Sequence, residues 1–226
     1  MSIPSRDSAH RIELGEVSNQ RQQTATPDLE RREADESADA DALERRRKAL
    51  EEVVQFGDPI LRSKATEVTV FGDRLRDEVA RMIHLMQDGM GIGLAATQVG
   101  ALRRLLVFQA GPDSMPQAII NPELAWVSDQ VEVAEEGCLS IPRVTLDVER
   151  ALHVRVAGMD ERGEMMEIEA SGLESRVLQH EIDHLDGVLI LDRAPRAQRR
   201  AAMRALRRGE PYHPPEDPDG TDAEIA

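Results

Sequence analysis

The sequence predicts an α+β fold: mostly antiparallel β-sheet segments packed around a central, motif-bearing α-helix, with an N-terminal helix before them and a basic C-terminal helix after. Three observations predict it. Apolar residues recur at helical spacing from Asp73 to Asp88, short β-rich segments separated by Gly, Pro, Asn and Asp occupy residues 103–170, and helical spacing returns from about Leu173. Strands gathered between helices, rather than alternating with them, are the pattern of α+β.

The first helix has Leu75, Val79, Met82, Ile83 and Met86 on one stripe over about four turns, with Asp73 placed to cap it. It ends at GMGIGLAATQVG (89–100), where glycines and small residues leave a tight, bare backbone. RRLLVFQ (103–109), AIINPEL (118–124) and WVSDQVEVAEEG (126–137) read as strands, and LHVRVAGMD and EMMEIEA flank Glu161–Gly163 as a hairpin. A second helix is predicted from about Leu173 to Asp186, stopped by Gly187, and a third from about Ala194 to Arg208.

Charge marks the boundaries. The net charge is −15, yet residues 45–208 hold 26 acidic against 23 basic residues, so the excess lies at the ends. Residues 1–44 carry eleven acidic residues against five arginines, with few large apolar residues, and are expected to be a disordered acidic extension. Residues 209–226, proline-rich and acidic, are expected to be a disordered tail. Residues 45–208 form the expected catalytic domain. The start of the chain lacks an apolar stretch behind a basic start and is too acidic for an organellar transit peptide. No apolar run approaches the roughly 20 residues that span a bilayer, and the single cysteine fits a reducing compartment. These features point to a cytoplasmic chain.

The stretch HEIDH carries the chemistry. At 3.6 residues per turn His180 and His184 project from one helix face, where both imidazoles can reach one cation, and Glu181 flanks them as a carboxylate able to manage the proton of a water. A polar solvated face would read the same way over five residues. Leu173 and Val177, however, continue the histidine face backwards as an apolar stripe, so the histidines point inward and these two residues wall a pocket. Ile182 and Leu185 face elsewhere and read as core.

Two imidazoles hold a divalent ion weakly, and catalytic sites take three protein ligands with one position left for water. The soft candidate is Cys138, in a turn bracketed by Gly137 and Pro142 and preceded by Glu135 and Glu136. A lone cysteine is also an ordinary small buried hydrophobe. His10, His84, His153 and His213 lack a supporting motif.

Three stretches, GIGLAATQ (91–98), EEGCLSIP (135–142) and QHEIDHLDG (179–187), together and in this order resemble the signature motifs of bacterial peptide deformylases, with similarity over roughly residues 52–205. The resemblance implies a metal-dependent hydrolase of protein biosynthesis that modifies protein N-termini, removing the formyl group from N-formylmethionine of nascent polypeptides and releasing formate. It implies Cys138, His180 and His184 as ligands of one divalent metal ion, physiologically Fe(II), often replaced by zinc, nickel or cobalt. It also implies Glu181 as general acid/base, the Gln98 side chain and the Leu139 backbone N–H as donors to the carbonyl oxygen, and Gly93 as a backbone contact to substrate. Gly91 reads either as room for a peptide backbone or as a residue that permits positive φ.

One position departs from the pattern. Some bacterial members place an arginine seven residues after the ligand cysteine, and here Thr145 stands there, which leaves fine side-chain preference open. Residues 193–208 hold seven arginines and no acid, readable as a solvated face or as a surface for RNA phosphates. The family's habit of docking this helix on the ribosome favours the second reading. The expected partners are therefore formyl-methionyl nascent peptides and the ribosome, with no membrane and no DNA. Two other functions compete with this reading: a metallopeptidase, which would commonly draw its third ligand from a carboxylate or another His, and a silent metal-binding module, against which Glu181 and Gln98 speak.

Overall fold

A computed structural model describes residues 26–111 and 114–215. Residues from Ala42 onward form one compact unit, and the residues described before it are the first turns of helix α1 (Thr26–Glu52). There follow α2 (Asp73–Asp88), β1 (Gly93–Ala95), β2 (Leu105–Phe108), β3 (Gln117–Val127), β4 (Val131–Cys138), β5 (Ile141–Ala151), β6 (His153–Met159), β7 (Met165–Ser171), α3 (Leu173–Leu185), α4 (Ile190–Arg193) and α5 (Arg196–Arg208). All strand pairs are antiparallel, in a five-stranded sheet of order β1-β2-β3-β6-β7 and a β4-β5 hairpin. The α+β prediction, with the motif-bearing helix at its centre, holds.

The apolar run in β2 has a simple cause. Leu105 and Val107 pack with α2 residues such as Met82 and Met86, whereas Leu106 and Phe108 pack with α3 residues such as Leu178 and Ile182. Side chains alternate across a strand, so a strand covered on both faces must be apolar at every position. The third core cluster joins Ile141, Leu146 and Val148 of β5 to residues 189–191 and to Ala202 of α5.

The structure corrects several expectations. Residues 26–44 were expected to lack structure, but α1 begins at Thr26. Its sequence is rich in Ala, Glu, Arg and Leu, all strong helix formers. Arg47 pairs with Glu44 and Glu51 at 2.8 and 2.5 Å, while Ala49 in the last turns and Val53 just after the helix anchor its end in the core. Residues 209–215 are not a free tail either: Tyr212 bridges Val144, and its backbone exchanges hydrogen bonds with Thr145 and Arg143 at 2.9 Å. Residues 1–25 and 216–226, also expected to be disordered, lie outside the described residues. Asp73 does not cap α2. Gly72 is the N-cap, and Asp73, the first helical residue, pairs with Arg76.

Segments 118–124 and 126–127 are one strand, bulged around Asn121, whose φ is 54° and whose amide bonds both backbone groups of Val68. β5, unassigned from the sequence, is an eleven-residue strand. Its start is bulged, with Gly137 opposite Thr145 but Cys138 opposite Ile141, and Arg143 adopts a φ of 62° there. The Tyr212 segment pairs with this stretch. α5 begins at Arg196 rather than Ala194 because Pro195 serves as its N-cap.

Gly187, which ends α3, has a φ of +74°, and a Cβ there would lie 2.7 Å from the Arg62 carbonyl oxygen. Gly187→Ala adds left-handed strain to a backbone collision, so urea unfolding should show a loss of about 2 kcal/mol or more.

Candidate metal and catalytic site

Helix α3 delivers the two imidazoles as its periodicity dictates. Nε2 of His180 and Nε2 of His184 stand 3.1 Å apart, and Sγ of Cys138, at the end of β4, lies 3.2 Å from His184 Nε2. The donor atoms of the three residues all lie within 4.8 Å of one another. Tetrahedral coordination with bonds of about 2.0–2.3 Å separates ligand atoms by roughly 3.3–3.6 Å. The trio therefore fits one divalent cation with small side-chain shifts, and a soft thiolate with two imidazoles suits iron and zinc alike.

Beneath the trio lies a buried ionic knot absent from the sequence-based site. Glu136 Oε2 stands 3.0 Å from His180 Nδ1, which leaves Nε2 of that ring free for a cation. Its other contacts are Arg150, through two nitrogens at 2.9 and 3.0 Å, and Arg176 at 2.9 Å. Arg150 reaches on to Asp183, which Arg193 also contacts. Burial pushes the Glu136 carboxyl up, but the hydrogen bonds from His180 and Arg150 and the Arg150 charge outweigh it and hold the group at about 2. The sequence held a signal for this: Glu136 stands two residues before Cys138 on one strand, the spacing that shares a face.

The two rings differ. For His180 burial opposes protonation, yet hydrogen bonds with Cys138 and Glu136 prevail and raise its pKa. Burial and the His180 charge push His184 down. A cation held here would compete with a proton for the His180 lone pair, so its binding would release protons.

Glu181 is buried, and burial pushes its carboxyl up to about 7, with the His180 charge opposing and Glu136 adding to the rise. Its Oε2 has no hydrogen-bond partner among the described residues. A Cβ on Gly93 would lie 2.4 Å from Glu181 Oε1, so that glycine makes room for the carboxyl. Gly91 has no positive φ, which removes that reading. The space beside it is taken by Leu139, whose Cδ1 would stand 2.9 Å from a Cβ.

Gln98 is buried in the short turn after β1. Its Oε1 accepts from the Ala95 N–H at 2.8 Å, which turns Nε2 towards Ser140 Oγ at 3.3 Å and Cys138 Sγ at 3.7 Å. Leu139 and Ser140 form the turn of the β4–β5 hairpin, and Phe56 N–H holds the Ser140 carbonyl at 2.8 Å. Gly91, Gly93, Gln98, Leu139, Val177 and Leu173 all line one cleft of about 760 Å³ that ends on Cys138, His180 and Glu181. Val177 is buried in its wall, whereas Leu173 is half exposed at its edge. Thr145 also lines the cleft, and its hydroxyl is 2.9 Å from His213 Nδ1. His153 bonds Ser171, and neither it, His84 nor His213 belongs to the ligand trio; His10 lies outside the described residues.

A helix that presents two imidazoles and a carboxyl to a facing thiol and a carboxamide is equipped to hold a cation and to move the proton of a water, which is the class of metal-dependent hydrolases. Residues 50–200 match the family model described as polypeptide deformylase. The peptide deformylase of Thermotoga maritima is 46% identical over 144 residues, covering 64% of this chain and 87% of the relative. Peptide deformylase 1 of Corynebacterium glutamicum is 43% identical over 161 residues, 70% of this chain and 95% of the relative. The crystal structure of a peptide deformylase from Synechococcus elongatus in complex with actinonin aligns with a TM-score of 0.66 at 39% identity, over 70% of this chain and 87% of that one. The chain belongs to the polypeptide deformylase family and is an enzyme of that kind.

Glu136→Gln keeps the shape of the side chain but removes the charge that orients His180. Metal affinity should fall about tenfold or more in a chelator competition, with the helical circular dichroism retained.

Proposed function

We propose that this enzyme removes the formyl group from N-formylmethionine at the start of nascent polypeptides and releases formate. The observation that carries the reading is the convergence, in one cleft, of the thiol–imidazole trio with a buried carboxyl and an amide NH₂ turned to the same place. Cys138, His180 and His184 would hold one divalent ion, Fe(II) by the family resemblance with zinc, nickel or cobalt as substitutes, which supplies Lewis acidity that lowers the pKa of a water towards about 7.

The chain's own residues do the rest. Glu181 takes the proton of the attacking water and delivers it to the leaving amine, a task suited to a carboxyl whose pKa is near neutrality. Gln98 Nε2 and the Leu139 backbone N–H donate to the formyl oxygen as it gains charge, and each such donor contributes about 3–4 kcal/mol in comparable hydrolases. Val177 and Leu173 offer apolar surface to the methionine side chain, and Gly91 and Gly93, which line the same cleft, offer backbone groups to its main chain.

Wild-type protein should release formate from formyl-Met-Ala and leave an unformylated internal peptide uncut. Glu181→Ala should lower turnover by about 10²-fold or more with metal content unchanged. No formate from the wild type, or full activity in Glu181→Ala, overturns the reading.

The setting follows from the substrate: a cytoplasmic enzyme meeting chains as they leave the ribosome. No helix among the described residues is long and apolar enough to cross a membrane. α5 buries Ala202 and Ala205 and leaves Arg196, Arg200, Arg204 and Arg207 exposed, with no ion pair among the described residues. That face suits ribosomal RNA phosphates. Replacing Arg200, Arg204 and Arg207 by Glu should reduce co-sedimentation with ribosomes at low salt and flatten its salt dependence by about one unit of slope per lost phosphate contact.

A further inference from the structure

The substrate cleft has a wall that starts before the residues that match the family model. Arg46 and Leu50, both on α1, line the cleft, and Arg46 precedes the matched stretch, residues 50–200. Helical spacing explains the placement. Arg46 and Leu50 lie four residues apart and stack on one face, while Ala49 on the adjoining face, and Val53 just past the end of the helix, are buried in the core with Leu75 and Met82. The packed pair orients this turn of α1, so the face it presents to the cleft is set by the core.

Charge distinguishes Arg46 from its neighbours. Arg45 stands 3.8 Å from Asp88, Arg47 pairs with Glu44 and Glu51, and Lys48 stands 3.5 Å from Glu44. Arg46 alone of these four consecutive cations has no carboxylate partner and no side-chain hydrogen bond among the described residues. The other arginine beside it in the cleft lining with an exposed side chain, Arg143, is committed to the Gly209 carbonyl oxygen. Glu135, on β4, also lines the cleft, so α1 and β4 bring opposite charges to it.

We propose that Arg46 is a specificity-determining residue: it reads the side chains that follow the N-terminal methionine of the substrate and favours a carboxylate turned towards α1. Leu50 supplies the apolar support on which that part of the peptide lies. This rests on the deformylase reading, because it assumes that the cleft holds a peptide whose formyl end is at Cys138, His180 and Glu181.

The test compares kcat/KM for formyl-Met-Ala-Glu, formyl-Met-Ala-Gln and formyl-Met-Ala-Lys in the wild type, Arg46→Ala, Arg46→Glu and, as a control, Arg47→Ala. A solvent-accessible ion pair of this kind changes affinity by about two- to fivefold. The wild type should favour Glu over Gln by that factor, through KM rather than kcat, and added salt should erase the preference. Arg46→Ala should bring the Glu/Gln ratio to one, Arg46→Glu should shift preference to Lys, and Arg47→Ala should keep the wild-type ratio. Glu/Gln and Lys/Gln ratios that are the same in the wild type and both Arg46 variants overturn the proposal while leaving deformylation standing. No formate from any of the three peptides overturns the deformylase reading and this proposal together.

Discussion

The site depends on one buried carboxylate. Glu136 sits on β4 two residues before the thiol, yet its oxygens join Arg150 of β5 and Arg176 and His180 of α3. A charge taken out of water is costly unless it is paired and hydrogen-bonded, and removing one partner of such a pair costs about 3–5 kcal/mol. The three elements must therefore meet in one arrangement, and that arrangement sets Cys138 against His184. The geometry of the thiol–imidazole trio and the packing of hairpin on helix are consequences of the same contacts.

Around this knot the site is crowded. Glu181 is kept near neutral pKa by burial, and the room for its carboxyl exists only because position 93 lacks a side chain. Gln98 is held by the Ala95 N–H on one side, and its backbone carbonyl accepts from Val54 N–H at 2.8 Å on the other. The amide is thus oriented before any substrate arrives, the condition under which a hydrogen-bond donor stabilises developing charge most effectively.

The segments at either end of the chain contribute more than their composition suggests. α1 brings Arg46 and Leu50 to the cleft, and the stretch after α5 pairs with the bulged start of β5, where Thr145 of the cleft lining meets His213. The acidic composition of residues 26–44 and the proline-bearing composition of residues 209–215 obscured the order of both stretches. Helix propensity, a few ion pairs and two buried residues are enough to order a helix that looks unable to bury a core of its own. Likewise Tyr212 is a single residue, and the backbone pairing it brings leaves no periodic trace.

What the sequence alone determined is what repeats locally. The spacing of His180 and His184 requires a shared helix face, the stripe from Leu75 to Met86 requires α2, and the β-rich run RRLLVFQ reads as the strand that becomes β2. Cys138 could be named as a ligand candidate by its chemistry. Tertiary structure alone decided that its sulfur stands beside rings more than forty residues away, that Glu136 lies beneath them, that Gly93 clears space for Glu181 and that α1 lines the cleft. Periodicity fixes which residues share a face of one element, but the distance between elements is set by long-range packing and by the pairing of buried charges, neither of which leaves a periodic mark on the chain.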